Sequence, residues 1–357
     1  MLQYLIRRVL WMIPTMLGII LIILGLIHAA PGDPAIQMMG IGGGGSGEVT
    51  QDKVDFEARI AAFKHENGLD RSFLVQYIGF LGPFNTRPEG HELFGGDGRE
   101  PWGGFLAFDF GTELFNKNKQ IGDEILKRLL STTLPLAVLS MFLTYLLALP
   151  IGIYSANRAG TRIDTLTTLG LFVLYSIPVF WAGLMLKLVF GVTGLAWLPV
   201  IGLHGRDAAS LESWPYILDA IKHFILPVSV MTYGSLAYIS RQMRTGMIEV
   251  IHQDFIRTAR AKGLSERAIV FKHALRNSLI PVITIFASIL PILIGGSLVV
   301  EVVFGLPGMG EYMFKGLLRR DYNVIMATMT LSGSMTLLGI LFSDIAYALV
   351  DPRIKYS

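Results

Sequence analysis

The 357-residue chain has no cysteine, which excludes disulfides and thiolate metal sites. Charge is scarce as well: Asp, Glu, Lys and Arg make up 16% of the residues, against about a quarter in soluble domains. The net charge is only +3, too small to argue for nucleic acid as a partner. No GxxxxGK[ST] occurs, so the chain lacks the phosphate-cradling loop and lysine of a nucleotide motor. HExxH and GxSxG are missing, and no Ser/His/Asp set is credible. The seven histidines (His28, His65, His91, His204, His223, His252 and His273) form no i, i+4 pair. These absences predict a chain that is not an enzyme and has no catalytic, cofactor or metal site of its own.

Apolar residues are abundant, at 52%. A bilayer core of about 30 Å needs about 20 of them per helix. Uncharged windows of that order fall at residues 9–32, 129–157, 165–186, 224–240, 277–300 and 322–343. The fourth is short and contains Pro227 and Gly234; residues 194–205 are too broken by Gly and Pro to make a seventh. The pattern predicts an all-α polytopic membrane protein with six transmembrane helices. Arg7 and Arg8 precede the first window and "HAAP" closes it, as in a signal peptide, but its apolar run exceeds an h-region and reads as an uncleaved span. Arg7 and Arg8, Arg158 and Arg162, the 241–280 loop, and Arg353 with Lys355 all fall on one side if there are six spans. By the positive-inside rule that side is cytoplasmic, together with both termini.

Three regions follow: a tail and first span at 1–30, an extracytoplasmic cap at 31–128, and a core at 129–357. Pro31, Gly32, Asp33 and Pro34 end the first span. "GIGGGGSGE" at 40–48 contains a formal GxGxxG, but no strand precedes it and a flexible linker is the better reading. Residues 54–66 have helical spacing at Phe56, Ile60 and Phe63, with Gly68 as a C-cap. Residues 81–102 read as irregular loop, and 121–130 as a helix feeding the second span. Residues 54–81 are expected to form a docking platform or lid.

The most cationic stretch, "FIRTARAKGLSERAIVFKHALRNSLIP", lies between the fourth and fifth windows. Asp254 is placed to cap a short helix reaching Lys262, and Gly263 to end it in the left-handed region. Ser265 then caps a second helix, with Glu266 in its first turn. Phe255, Ala259 and Lys262 share one face; Arg257, Arg260 and Ala261 share another. Two readings fit, a specific docking knob and a basic loop resting on anionic headgroups.

The stretch resembles the cytoplasmic loop of ABC-importer permeases, whose consensus is Glu-Ala-Ala, three residues, Gly, nine residues and Ile-x-Leu-Pro. Ala259, Gly263 and Leu275 match it; Arg257, Thr258 and Arg276 depart from it. "ARAKGL" and "HALRN" are similar to the version in the peptide/nickel branch of that family. So are "LIRRVLWMIPTMLGIILI" with "APGDPA", "ENGLDRSFLVQYIGFL", "VVEVVFGLPGMGEYMFKGLLRRDYNVI" and "LFSDIAYALVDPRI". The resemblance covers nearly the whole chain outside 37–55 and 82–103, and points to the B-type permease of a dipeptide or oligopeptide importer.

That resemblance implies a bacterial inner-membrane permease forming half of a translocation pathway. A second permease subunit would complete the heterodimer. Cytoplasmic ATPase subunits would bind ATP and Mg, and an extracytoplasmic binding protein would deliver peptide. It assigns ATPase coupling to Asp254, Arg257, Thr258, Ala259, Arg260, Lys262, Gly263, Leu264, Leu275 and Arg276. It places an external gate at Glu301, Pro307, Gly308 and Gly310, within 301–320. Nickel or another small solute in the same branch, a stand-alone secondary transporter and a membrane scaffold are the alternatives. Lys187 and Asp344 read as residues that snorkel or cap helix ends. Gly295 and Gly296 read as a site of close helix packing.

Overall fold

The structure, a computed structural model, describes residues 2–38, 53–82, 103–191, 194–205, 207–279, 282, 285 and 296–350. Among them there is no β-strand, only the isolated bridges Gly104–Asp109 and Thr112–Gln120. Among the described residues three helices are long and apolar enough to cross a membrane: Gln3–Ala29, Ile121–Asn157 and Tyr322–Phe342. The chain forms two compact units, one of residues 6–129 and 312–334, the other of 130–311 with 1–5 and 335–357.

In the first unit, α1 (Leu2–Ala29) buries Ile20, Ile23, Leu24 and Ile27 against Ile325 and Met326 of α15 (Tyr322–Val350). The spacing of three and four residues puts those side chains on one stripe. After α1, Asp33 accepts from the Ala35 N–H at 3.0 Å and opens α2 (Pro34–Met38). Lys64 of α3 (Lys53–Glu66) pairs with Asp33. The helix expected at 54–66 is thus present, and Gly68 after it has φ 66. α3 seats Phe63 with Ala35 and Leu114 in a small core. A further helix, α4 (Phe73–Leu81), packs Phe73, Tyr77 and Phe80 into the α1 cluster, and the Tyr77 hydroxyl donates to the Leu17 carbonyl at 3.0 Å. The linker at 40–48 and most of the loop expected at 81–102 lie outside the described residues.

Asp321 joins the pieces of this unit. Its carboxylate accepts from the N–H of Val324 (3.1 Å), capping α15, and from the N–H of Leu114 (2.9 Å). Burial pushes its carboxyl up to about 6. Glu113 beside it accepts from the Tyr312 hydroxyl at 3.0 Å, and the Arg128 guanidinium lies 4.6 Å from the Tyr312 ring centre.

The second unit is built on α6 (Leu134–Asn157) and α9 (Ser213–Ile251). Gly152 allows their backbones to meet: a Cβ there would stand 2.6 Å from the Ser240 carbonyl oxygen and 2.7 Å from Met243 Cβ. As expected, α5 (Ile121–Arg128) feeds this helix, through a π-helical turn at Leu129–Thr133.

Two expectations need correction. The third window is not one straight helix, because α7 (Arg162–Ser176) and α8 (Val179–Phe190) meet at 89°. Pro178 causes the break: it forces Ile177 into the extended region (φ −80, ψ 121), which no helix continues through. The short fourth window, by contrast, belongs to one 39-residue helix that passes through Pro227 without ending. Much of the fifth window, including Gly295, lies outside the described residues.

Candidate functional site

The basic turn forms a helix–glycine–helix as the caps imply. α10 spans Asp254–Ala261, and Gln253, extended at ψ 154, holds the N-cap position expected of Asp254, which is already helical. Gly263 has φ 77; its N–H bonds the Arg260 carbonyl (2.9 Å), and the Leu264 N–H bonds that of Ala259 (3.4 Å). This is the paired closure of a Schellman end, which glycine makes without a Cβ penalty. Ser265 caps α11 (Glu266–Ala268) by accepting from the Ala268 N–H, and Arg260 grips Glu266 across the turn at 2.8 Å. The chain continues as a π-helical turn, Ile269–Ala274, and α12, Leu275–Ser278.

Burial divides the candidate residues. Asp254, Arg257, Thr258, Arg260, Lys262, Gly263, Leu264 and Arg276 are exposed, and Leu275 is half-buried. Ala259 is buried with Ile256 in a core shared with Met243, Met247, Val250, Ile153 and Ala156. Its assignment to a face with Phe255 and Lys262 is therefore corrected. Ala259 lies three residues from Ile256, and this α10 stripe packs against apolar residues of α6 and α9. The turn is a rigid knob seated on the α6–α9 pair, with a basic rim turned outward.

The second candidate site surrounds Glu301 in α13 (Leu298–Phe304). Its side chain is fully buried. It accepts from the Thr133 hydroxyl (3.0 Å) and from the Glu311 N–H (3.0 Å) at the start of α14 (Met309–Arg319). Thr133 in turn accepts from the Met309 N–H at 2.8 Å. A Cβ at Gly296 or Gly308 would stand 2.6 Å from Glu301 Oε1, so both glycines are required by this carboxylate. Gly310 is buried against Leu298 and Pro307 is the exposed tip of the turn. Glu301 is thus an internal anchor for the turn, capping α14 and tying it to the π-helical turn before α6. Gly296, expected where helices pack, lies instead in non-helical backbone at φ 72, tight against Glu301 and Gly310. Lys187 caps a helix end: its Nζ donates to the Val303 carbonyl in the last turn of α13.

Residues 148–356 match the family of binding-protein-dependent transport system inner membrane components. The chain is 38% identical, over the full length of both proteins, to the oligopeptide transport system permease protein AppB of Bacillus subtilis. It is 33% identical to the di/tripeptide transport system permease protein DppB of Pseudomonas aeruginosa, covering 100% of this chain and 99% of the relative. It is also 33% identical, over the full length of both, to the glutathione transport system permease protein GsiC of Salmonella choleraesuis. The chain belongs to this permease family. It is an ABC-importer permease of the inner membrane.

Two polar clusters of the permease escaped the sequence reading because their members are far apart in the chain. Arg244 of α9 grips Asp164 at the foot of α7 through two bonds, Nε to Oδ1 (2.8 Å) and Nη2 to Oδ2 (2.7 Å). Ser155 donates to the same carboxylate, and so does the Gly160 N–H at 3.0 Å. His204 and His223 both face Asp219, at 3.2 and 3.6 Å. Among the described residues no group of three or more His, Asp or Glu side chains is placed to hold a metal ion.

Proposed function

We propose that the chain is one permease subunit of an ATP-driven importer of peptides in a bacterial cytoplasmic membrane. The observation that carries this reading is full-length similarity to oligopeptide and di/tripeptide permeases. The knob with its exposed basic rim supports it. A second permease completes the pathway, an extracytoplasmic binding protein delivers the peptide, and ATPase subunits, which hold the ATP and Mg, seat on the α10–α11 knob. The six spans are α1, α6 with its lead-in, the bent α7–α8 pair, α9, residues 277–300 and α15. Both termini and the knob face the cytoplasm, and residues 31–128 cap the outer side.

On this reading Arg257, Thr258, Lys262 and Leu264 touch the ATPase, while Gly263 sets the turn and Ala259 seats the knob. Pro307 presents the outer gate turn to arriving peptide, with Glu301, Gly308 and Gly310 holding it in shape. The test is to purify the chain from gently solubilised membranes and assay the eluate for ATP hydrolysis and, after reconstitution, for peptide uptake. A stoichiometric second permease and ATPase is the expected result. A Cβ at Gly263 meets no atom within 4 Å, so Gly263→Asp strains only the left-handed turn, at about 1–2 kcal/mol. It should leave membrane abundance intact and abolish ATP-linked uptake. Normal uptake by this variant at normal abundance refutes the coupling role, and a chain that elutes alone refutes the importer reading.

A further inference from the structure

The Asp164–Arg244 pair has no role in holding the knob's own shape, yet its carboxylate is densely bonded. Asp164 is 5% exposed and accepts four hydrogen bonds, from Ser155 at the end of α6, Gly160 in the following turn, and twice from Arg244. An Arg fork on a carboxylate fixes direction as well as distance, because both N–H bonds must stay in one plane. The pair therefore defines where the foot of α7 sits on α9.

Its neighbours define what that position is connected to. Below Arg244 on α9, Met247 and Val250 share a core with Ile256 and Ala259 of the knob. Above it, Gly152 puts α6 in backbone contact with α9 at Ser240 and Met243. The knob, α6 and the lower half of α9 thus form one packed block with little room for internal slip. α7 is different. It ends at the Pro178 break, where it meets α8 at 89°, so it is free of the straight continuation a span usually has. Much of its remaining surface is apolar and exposed, including Leu166, Leu169, Phe172, Val173 and Tyr175. Against the block it has apolar contacts such as Leu171, which allow small sliding. At its far end, by the break, the Ile177 carbonyl accepts from the Tyr233 hydroxyl of α9 (3.1 Å), and its foot is held by the Asp164 bonds.

We infer that Asp164 and Arg244 are positioning residues for transport: the pair fastens α7 to the block that carries the knob, so that a displacement of the knob moves the bent α7–α8 span. This rests on the importer reading and adds to it the connection between the ATPase seat and the pathway. Neither residue touches ATP or peptide. A merely stabilising pair would lower uptake and ATP hydrolysis together, in proportion to the amount of complex. A fastening pair separates the two quantities.

The experiment uses the assembled importer in phospholipid vesicles and measures peptide taken up per ATP hydrolysed. Asp164→Asn removes the charge and keeps the shape; Arg244→Lys keeps the charge but loses the fork. For Asp164→Asn, uptake per ATP should fall by about 5- to 150-fold, the span of ordinary coupling energies, while hydrolysis per complex persists. Arg244→Lys should show a smaller loss of the same kind and decides the matter if Asp164→Asn fails to accumulate. Unchanged uptake per ATP in the variants overturns the inference while leaving the importer reading standing. An unmodified chain that brings down no ATPase overturns both, and is told apart because it needs no variant.

Discussion

The Glu301 anchor gives the sharpest quantitative test of the packing. Replacing Glu301 with Gln keeps the volume but turns one carboxylate oxygen into an amide donor. The Glu311 N–H needs an acceptor, which the amide oxygen supplies, and the Thr133 hydroxyl must then turn to accept from the amide NH2, so both bonds survive only without the carboxylate charge. A hydrogen bond to a charged group contributes about 1.5–3 kcal/mol and a neutral one about 1, so losing the charge across the two bonds sets the cost of Glu301→Gln at about 2–3 kcal/mol. Glu301→Ala leaves both donors unsatisfied in a fully buried site, at about 1–3 kcal/mol each, with a cavity added. Gly308→Ala acts from the opposite side. Its Cβ would stand 2.6 Å from Glu301 Oε1, an overpacking worth about 1–3 kcal/mol. The two changes should not add. Glu301→Ala empties the space that the new Cβ needs, so Gly308→Ala should cost about 1–2 kcal/mol less in that background than alone. Equilibrium unfolding in mixed micelles, followed by tryptophan fluorescence, measures all four corners of this cycle. Equal costs for Gly308→Ala in both backgrounds would refute the contact, and a Glu301→Gln chain as stable as the parent would refute the anchor.

Further outcomes follow from other positions. The Asp321 carboxyl, raised from 3.8 to about 6, binds its proton more tightly in the folded state, so its contribution to stability is greatest below pH 3.8 and is lost as pH rises through about 6. Asp321→Asn should flatten that part of the unfolding profile, read from midpoints between pH 4 and 7. Gly152→Leu drives a side chain into the Ser240 carbonyl and Met243, and should sharply reduce the amount of protein in the membrane, measured by immunoblot. Deleting residues 40–47 should leave uptake near normal if that glycine tract is only a linker.

Composition and cap chemistry made much of this legible. The long apolar windows gave α1, α6 and α15, and the order of capping residue, glycine and second cap around Gly263 gave the knob. Windows carry no direction, however. A count over 165–186 could not see that Pro178 turns the chain, although the Ile-Pro step was there to be read. Charge density hid α9 in the opposite way, since Asp219, Lys222, Arg241, Arg244 and Glu249 trimmed the apparent span to its middle. The inward turn of Ala259 needed the partner helices, since spacing alone gives a face but not what it meets. The least legible features are contacts across long separations: Asp164 with Arg244, and Thr133 with Glu301. Each pairs residues ordinary in their local context.

The length of α9 has a consequence for how the permease tolerates change. At 1.5 Å per residue its 39 residues form a rod about 58 Å long, nearly twice the bilayer core. A tilt of about 5° at one end displaces the other by about 5 Å, one helical turn. Such a rod is also phase-locked. Inserting one residue between Phe224 and Ser240 would rotate everything below it by about 100°, swinging Arg244 off Asp164 and the knob off its bed. The rod should therefore accept substitutions at exposed positions such as Ile225 or Tyr238 and reject single insertions or deletions anywhere between its ends.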